Sequence, residues 1–131
     1  MQVRIEQELN LLRRRFAKLE YVEEGSWIRI PSYSMPADWN RSSTDVVFAI
    51  PIGYPGTPPY GFYVPIGIQF KGSRPNNYTE PVSVQVPFEG GWGIFSWAPL
   101  DGHWRPTSDV STGSNLLNWV LGLADRLREG L

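Results

Sequence analysis

The chain has no cysteine, one histidine and no long apolar run. The first absence removes disulfides, thiolate metal sites and thiol nucleophiles from the chain as it stands. A single imidazole leaves little for metal chemistry, so neither a metal nor a cofactor is expected. No segment approaches the ~20 apolar residues that span a bilayer, and the start lacks the apolar centre of a signal peptide. A cytoplasmic protein with no membrane partner is therefore the expectation. An excess of one charge is also missing: 12 Lys+Arg against 13 Asp+Glu give a net charge of -1, which argues against nucleic acid and points to a protein partner. Proline is nearly absent from both ends, whereas proline and glycine concentrate between residues 51 and 106. That distribution gives an α-β-α order, and 131 residues suit one domain, 1–131, burying about two-thirds of its unfolded surface.

From Gln2 to Glu20, Ile5, Leu9, Leu12, Phe16 and Leu19 recur at alternating spacings of four and three, which is one stripe of an α-helix. The opposite face carries Gln7, Leu11, Arg14 and Lys18, with Arg15 at its flank, while acidic Glu6 and Glu8 precede the basic cluster as the helix dipole favours. Such a face is either solvated or a docking surface, and Leu11 among the charges suits docking. Strands are expected around Trp27–Ile30, which Pro31 stops, around Asp45–Ile50, and at Gly61–Val64, which Pro65 stops. Ser83–Val86 alternates and forms the expected fourth strand. Short strands joined by turns imply antiparallel pairing. Lys71–Pro81 is a polar loop expected to be mobile, and the stretch from Pro87 to Gly93 is irregular, with Gly90, Gly91 and Gly93 permitting close approach of another backbone. From Ser114, an expected N-cap, to Glu129 the pattern Leu116, Leu117, Val120, Leu121, Ala124, Leu127 is helical, and Leu123 lies off that stripe.

The most distinctive stretch is Tyr54-Pro55-Gly56-Thr57-Pro58-Pro59, an aromatic residue heading a corner whose backbone three prolines restrict. It is followed by Gly93-Ile94-Phe95-Ser96 and by Trp104-Arg105-Pro106. Tyr-Pro-x-x-Pro-Pro after an apolar strand, then a glycine-led segment ending at a nucleophile, then Trp-x-Pro and an amphipathic helix, resembles the ubiquitin-conjugating enzyme (UBC) superfamily. The small bacterial branch, prokaryotic family E, is the most similar. The resemblance covers nearly the whole chain, although only the two proline motifs are specific.

It implies an α+β fold: N-terminal helix, four-stranded antiparallel meander, long active-site loop and C-terminal helix. This would be a minimal version without the last helices, with Leu123 left for a partner to cover. It also implies two partners, a ubiquitin-like protein and its activating enzyme, the latter docking on Leu11, Arg14 and Lys18. The family's cysteine lies eight residues before the tryptophan of Trp-x-Pro, which places Ser96 at the acceptor position. Gly90, Gly91 and Gly93 would line the approach of the modifier's tail. Where the family has His-Pro-Asn, this chain has Val86-Pro87-Phe88, so backbone amides near Gly90–Gly93 would have to stand in for the asparagine.

A serine hydroxyl is not ionised at neutral pH as a thiol partly is, and needs a base in line with it; His103 is the one imidazole on offer. Ser96 is compatible with a cysteine replaced to trap a stable conjugate, with an inactive variant that only binds, or with a displaced register. The binding variant would hold a ubiquitin-like protein or peptide in a groove beside Tyr54, Pro58, Pro59 and Trp104. An RWD-type adaptor matches Tyr54, Pro55 and Pro59 but leaves Trp-x-Pro unexplained. A sugar-binding protein would need several tryptophans exposed on one face.

Overall fold

A computed structural model describes residues 2–98 and 103–131. The elements run α1 (Gln2–Arg15), β1 (Glu20–Val22), β2 (Trp27–Ser34), β3 (Ser43–Ala49), β4 (Phe62–Pro65), β5 (Tyr78–Thr79), β6 (Trp92–Phe95) and α2 (Leu116–Glu129). The strands form one six-stranded sheet in the order β1-β2-β3-β4-β6-β5, antiparallel at every seam. The fold is α+β, as expected, but with six strands among the described residues instead of four. No helix among them is long and apolar enough to cross a membrane.

Period-two alternation assigns the faces. Ile28 and Ile30 of β2, Val46 and Phe48 of β3, Phe62 and Val64 of β4 and Phe95 of β6 join the main core with Ile5, Leu9 and Leu12 of α1 and Leu116, Trp119, Val120, Leu123 and Leu127 of α2. Both helices thus cover one face. The other carries a smaller cluster of Val47 and Trp92 with Trp27 and Tyr63, overlaid by Val82, Val86 and Phe88.

Several expectations need correction. Ser83–Val86 is not a strand: Val86 lies on the outer sheet face beside Trp92. The strand beside β4 is instead β6, within the stretch expected to be irregular, with Phe62 opposite Phe95 and Pro65 opposite Trp92. Helix α1 stops at Arg15; Phe16 and Leu19 still pack inward, but from a turn closed by Leu19 N–H to Phe16 O at 3.1 Å. The loop Lys71–Pro81 is not wholly irregular: it contributes β5, buries Tyr78 and holds Glu80 between the Tyr78 hydroxyl (3.0 Å) and Gly67 N–H (2.8 Å).

At α2 the N-cap is Asn115, whose Oδ1 accepts from Asn118 N–H at 2.7 Å. Ser114 is occupied elsewhere, its Oγ accepting from Arg105 N–H at 2.9 Å. Leu123 is fully buried, so it needs no partner to cover it, whereas Leu121 of the expected stripe is 38% exposed.

Candidate functional site

The Tyr-Pro corner is held by a buried carboxylate. Glu8 projects from α1 into the core, where it is 1% exposed, and its Oε2 accepts a hydrogen bond from the Tyr54 hydroxyl. Arg4 Nε donates to the same carboxyl at 2.9 Å, and Leu116 N–H, at the start of α2, donates at 2.6 Å. An anion at a helix N-terminus meets both free N–H groups and the positive end of the helix dipole, so Glu8 is satisfied on every side. Burial, and then the neighbouring Glu8 carboxylate, raise the Tyr54 phenol well above its ordinary value, so it stays protonated and remains a donor.

The second motif docks on the first. Trp104 Nε1 donates to Pro55 O at 2.7 Å across 49 residues of sequence, and its ring centroid lies 6.1 Å from that of Tyr54. Beyond it the chain is tied to the entry of α2, with Ser114 N–H donating to Arg105 O at 2.9 Å and Pro106 bridging Gly113. The two sequence motifs therefore form one unit that joins α1, the corner and α2.

Ser96 follows β6 directly and is exposed. Its backbone is fixed on both sides: its N–H donates to Asn77 O at 2.8 Å, and the next carbonyl, Trp97 O, accepts from Gly61 N–H at 2.6 Å. The hydroxyl is thus presented on a rigid strand end. His103 is exposed as well, its carbonyl facing Ser114 Oγ at 3.5 Å, and no hydrogen bond joins it to Ser96 among the described residues.

Other candidates are placed differently from expectation. Tyr54 is 0% exposed, so it cannot line a groove; it is the internal brace of the corner. Pro59 is buried and Pro58 half-buried, while Tyr60 and Ile52 stand out into solvent. Gly93 is a buried residue of β6, where a Cβ would lie 2.1 Å from the Tyr78 hydroxyl, so it serves sheet packing and not a tail channel. Gly90 and Gly91 are exposed but precede β6, whereas Ser96 follows it, a separation of roughly 16–20 Å along the chain at ~3.3 Å per residue. They do not flank Ser96.

On the α1 side Leu11 is half-buried and Arg14 exposed; Lys18 is exposed but lies beyond the helix end. None of the six tryptophans is exposed, which removes the basis of an open sugar-binding face. No cluster of three or more potential metal ligands occurs among the described residues. Compared with models of protein families, with curated proteins and with solved structures, the chain shows no match.

Glu8 is the residue that sequence reasoning missed. Its signal was present, because Glu8 stands three residues after Ile5 and four before Leu12, on the apolar stripe of α1 and not on its polar face.

Proposed function

We propose that this chain is a ubiquitin-conjugating-enzyme-like component of a cytoplasmic bacterial modification pathway. In it the C-terminal tail of a ubiquitin-like protein meets the Ser96 strand end after delivery by an activating enzyme. The observation that carries the reading is the Trp104–Pro55 hydrogen bond at 2.7 Å, which joins the two motifs that resemble the superfamily. An exposed, backbone-fixed Ser96 in the position of the family's cysteine supports it further. The activating enzyme would meet the exposed end of α1 at Leu11 and Arg14, with Lys18 just past it.

A second reading, an inactive variant that binds the modifier without accepting it, is favoured by one feature of the site. Ser96 has no hydrogen-bonded base among the described residues, and an unactivated hydroxyl is a poor acyl acceptor. Covalency separates the two readings. Intact-mass spectrometry of the chain and of Ser96→Cys, after incubation with a bacterial activating enzyme, ATP and ubiquitin-like proteins, is expected to show a thiol-labile adduct on the introduced cysteine. Binding of the modifier without any mass gain in either version would leave the non-covalent reading in place.

A further inference from the structure

Between the end of α1, the end of β2 and the outer side of α2 lies a groove of about 320 Å³, whose lining includes Arg15, Phe16, Tyr33, Leu121 and Ala124. Its floor is apolar and firmly seated. The half-buried Phe16 ring stacks on Tyr33 with centroids 6.2 Å apart, and the Tyr33 hydroxyl donates to Val120 O at 2.8 Å, so this layer ties the end of α1 to β2 and α2. Leu121 is the one exposed large apolar side chain of α2. The rim carries charge of one sign. Arg15 is exposed and makes no salt bridge among the described residues, and Arg128 makes only an exposed one with Asp125, which contributes little in solvent. Burial raises the Tyr33 phenol above its ordinary value, and Arg128 and Arg15 act against that rise, so both guanidiniums stand within electrostatic reach of the floor. No carboxylate lines the groove among the described residues.

We propose that this groove docks an acidic peptide segment of a partner protein, with one bulky apolar side chain seated against Phe16, Leu121 and Ala124 and its flanking carboxylates facing Arg15 and Arg128. Charge complementarity selects the occupant. A neutral or basic segment laid over the same floor would cover two guanidiniums without supplying a counter-charge, whereas flanking carboxylates supply one on each side. Shape argues against a free small molecule. The volume is near the lower limit of small-molecule pockets, about 300 Å³, and with Leu121 and Arg15 exposed the groove cannot enclose most of such a ligand. A peptide needs only to seat one side chain while its backbone stays in water. Neither Ser96 nor Leu11, Arg14 or Lys18 lines the groove, so this inference goes beyond the conjugation reading and can fail without it.

The test titrates the full chain into fluorescein-labelled short peptides that carry one leucine, phenylalanine or tryptophan between two pairs of aspartate and glutamate, and reads fluorescence anisotropy. At least one is expected to bind saturably and to weaken ~10-fold when its apolar residue becomes glycine, the worth of a partly buried side chain. Lysines in place of the acidic residues should abolish binding, and raising the salt from about 0.05 M to about 0.5 M should weaken it. Arg15→Glu and Leu121→Asp, both at exposed positions, should each lower affinity ~10-fold or more. Circular dichroism reports whether each variant is folded, and Arg15→Glu stands alone if Leu121→Asp is not. Amide shifts in ¹H–¹⁵N spectra should cluster at Phe16, Tyr33, Leu121 and Ala124. No saturable binding of any acidic peptide up to about 1 mM, equal affinity for the glycine or lysine versions, undiminished binding by folded Arg15→Glu, or shifts centred on Leu11, Arg14 and Lys18 would each overturn the proposal. So would a dimer of the chain that Leu121→Asp dissociates, since a second copy would then fill the groove.

Discussion

Tyr54→Phe is the most direct probe of the brace beneath the corner. The substitution keeps the buried ring and removes only the hydroxyl that donates to Glu8. A hydrogen bond to a charged partner contributes about 1.5–3 kcal/mol, so a loss near 2 kcal/mol is expected. For a domain of this length that corresponds to a fall in Tm of roughly 8 °C. Glu8→Gln should cost more, about 3 kcal/mol or above, because a neutral amide meets Tyr54, Arg4 and Leu116 N–H with donors of its own and leaves the Arg4 charge without its partner. Urea denaturation of both single variants and the double variant closes a cycle whose coupling energy should lie between about 1 and 3 kcal/mol, as for groups in one network. A Tyr54→Phe effect below about 0.5 kcal/mol, with coupling near zero, would mean that the hydroxyl does not engage Glu8 and that the corner is held by packing alone.

Two further outcomes are expected. Burial and then a neighbouring carboxylate, Glu8 for Tyr54 and Glu80 for Tyr78, raise both phenols above their ordinary value, so their contribution is complete below about pH 10 and is lost as the pH rises beyond it, where unfolded phenols ionise and folded ones do not. Urea titrations at pH 9 and pH 11 should show that loss, with a shallower slope in Tyr54→Phe and Tyr78→Phe; equal wild-type stability at the two pH values would contradict it. Gly93→Ala should destabilise by about 3 kcal/mol, because the new methyl would sit 2.1 Å from the Tyr78 hydroxyl, and Tyr78→Ala in the same chain should recover part of that loss. A change within ~0.5 kcal/mol for Gly93→Ala, read from the same denaturation curves, would show that the Tyr78 ring moves aside at little cost.

The helices were legible from their periodicity, but their boundaries and rotation were less so. Phe16 and Leu19 keep the spacing of α1 after its hydrogen bonding has ended, because a turn can also aim two apolar residues inward. In α2 the stripe Leu116, Leu117, Val120, Leu121, Ala124, Leu127 leaves out Trp119 and so points the wrong way round the helix. With it, Leu116, Trp119, Val120, Leu123 and Leu127 form the buried face, and Leu121 turns outward. Strand β6 was hidden by its glycines, which read as a break although Gly93 is needed where the Tyr78 ring crosses the sheet. The Tyr-Pro corner could be located in the sequence, since its motif is local. Glu8, Tyr54 and Leu116 N–H could not be joined that way, because the groups belong to segments that meet only in the folded chain.

The hydrogen bond from Leu116 N–H to Glu8 spans 108 residues, and that separation bears on synthesis as well as stability. At ~5–20 residues per second, Glu8 leaves the ribosome roughly 5–20 seconds before its last partner. Through that interval the nascent helix carries a carboxylate that water must solvate, so α1 cannot settle into its final seat. Release of the C-terminal segment supplies the missing donor. Final packing of the first helix is therefore tied to completion of the last, and a ribosome stalled before Leu116 would present α1 as a loosely attached, charge-bearing segment open to chaperones and proteases.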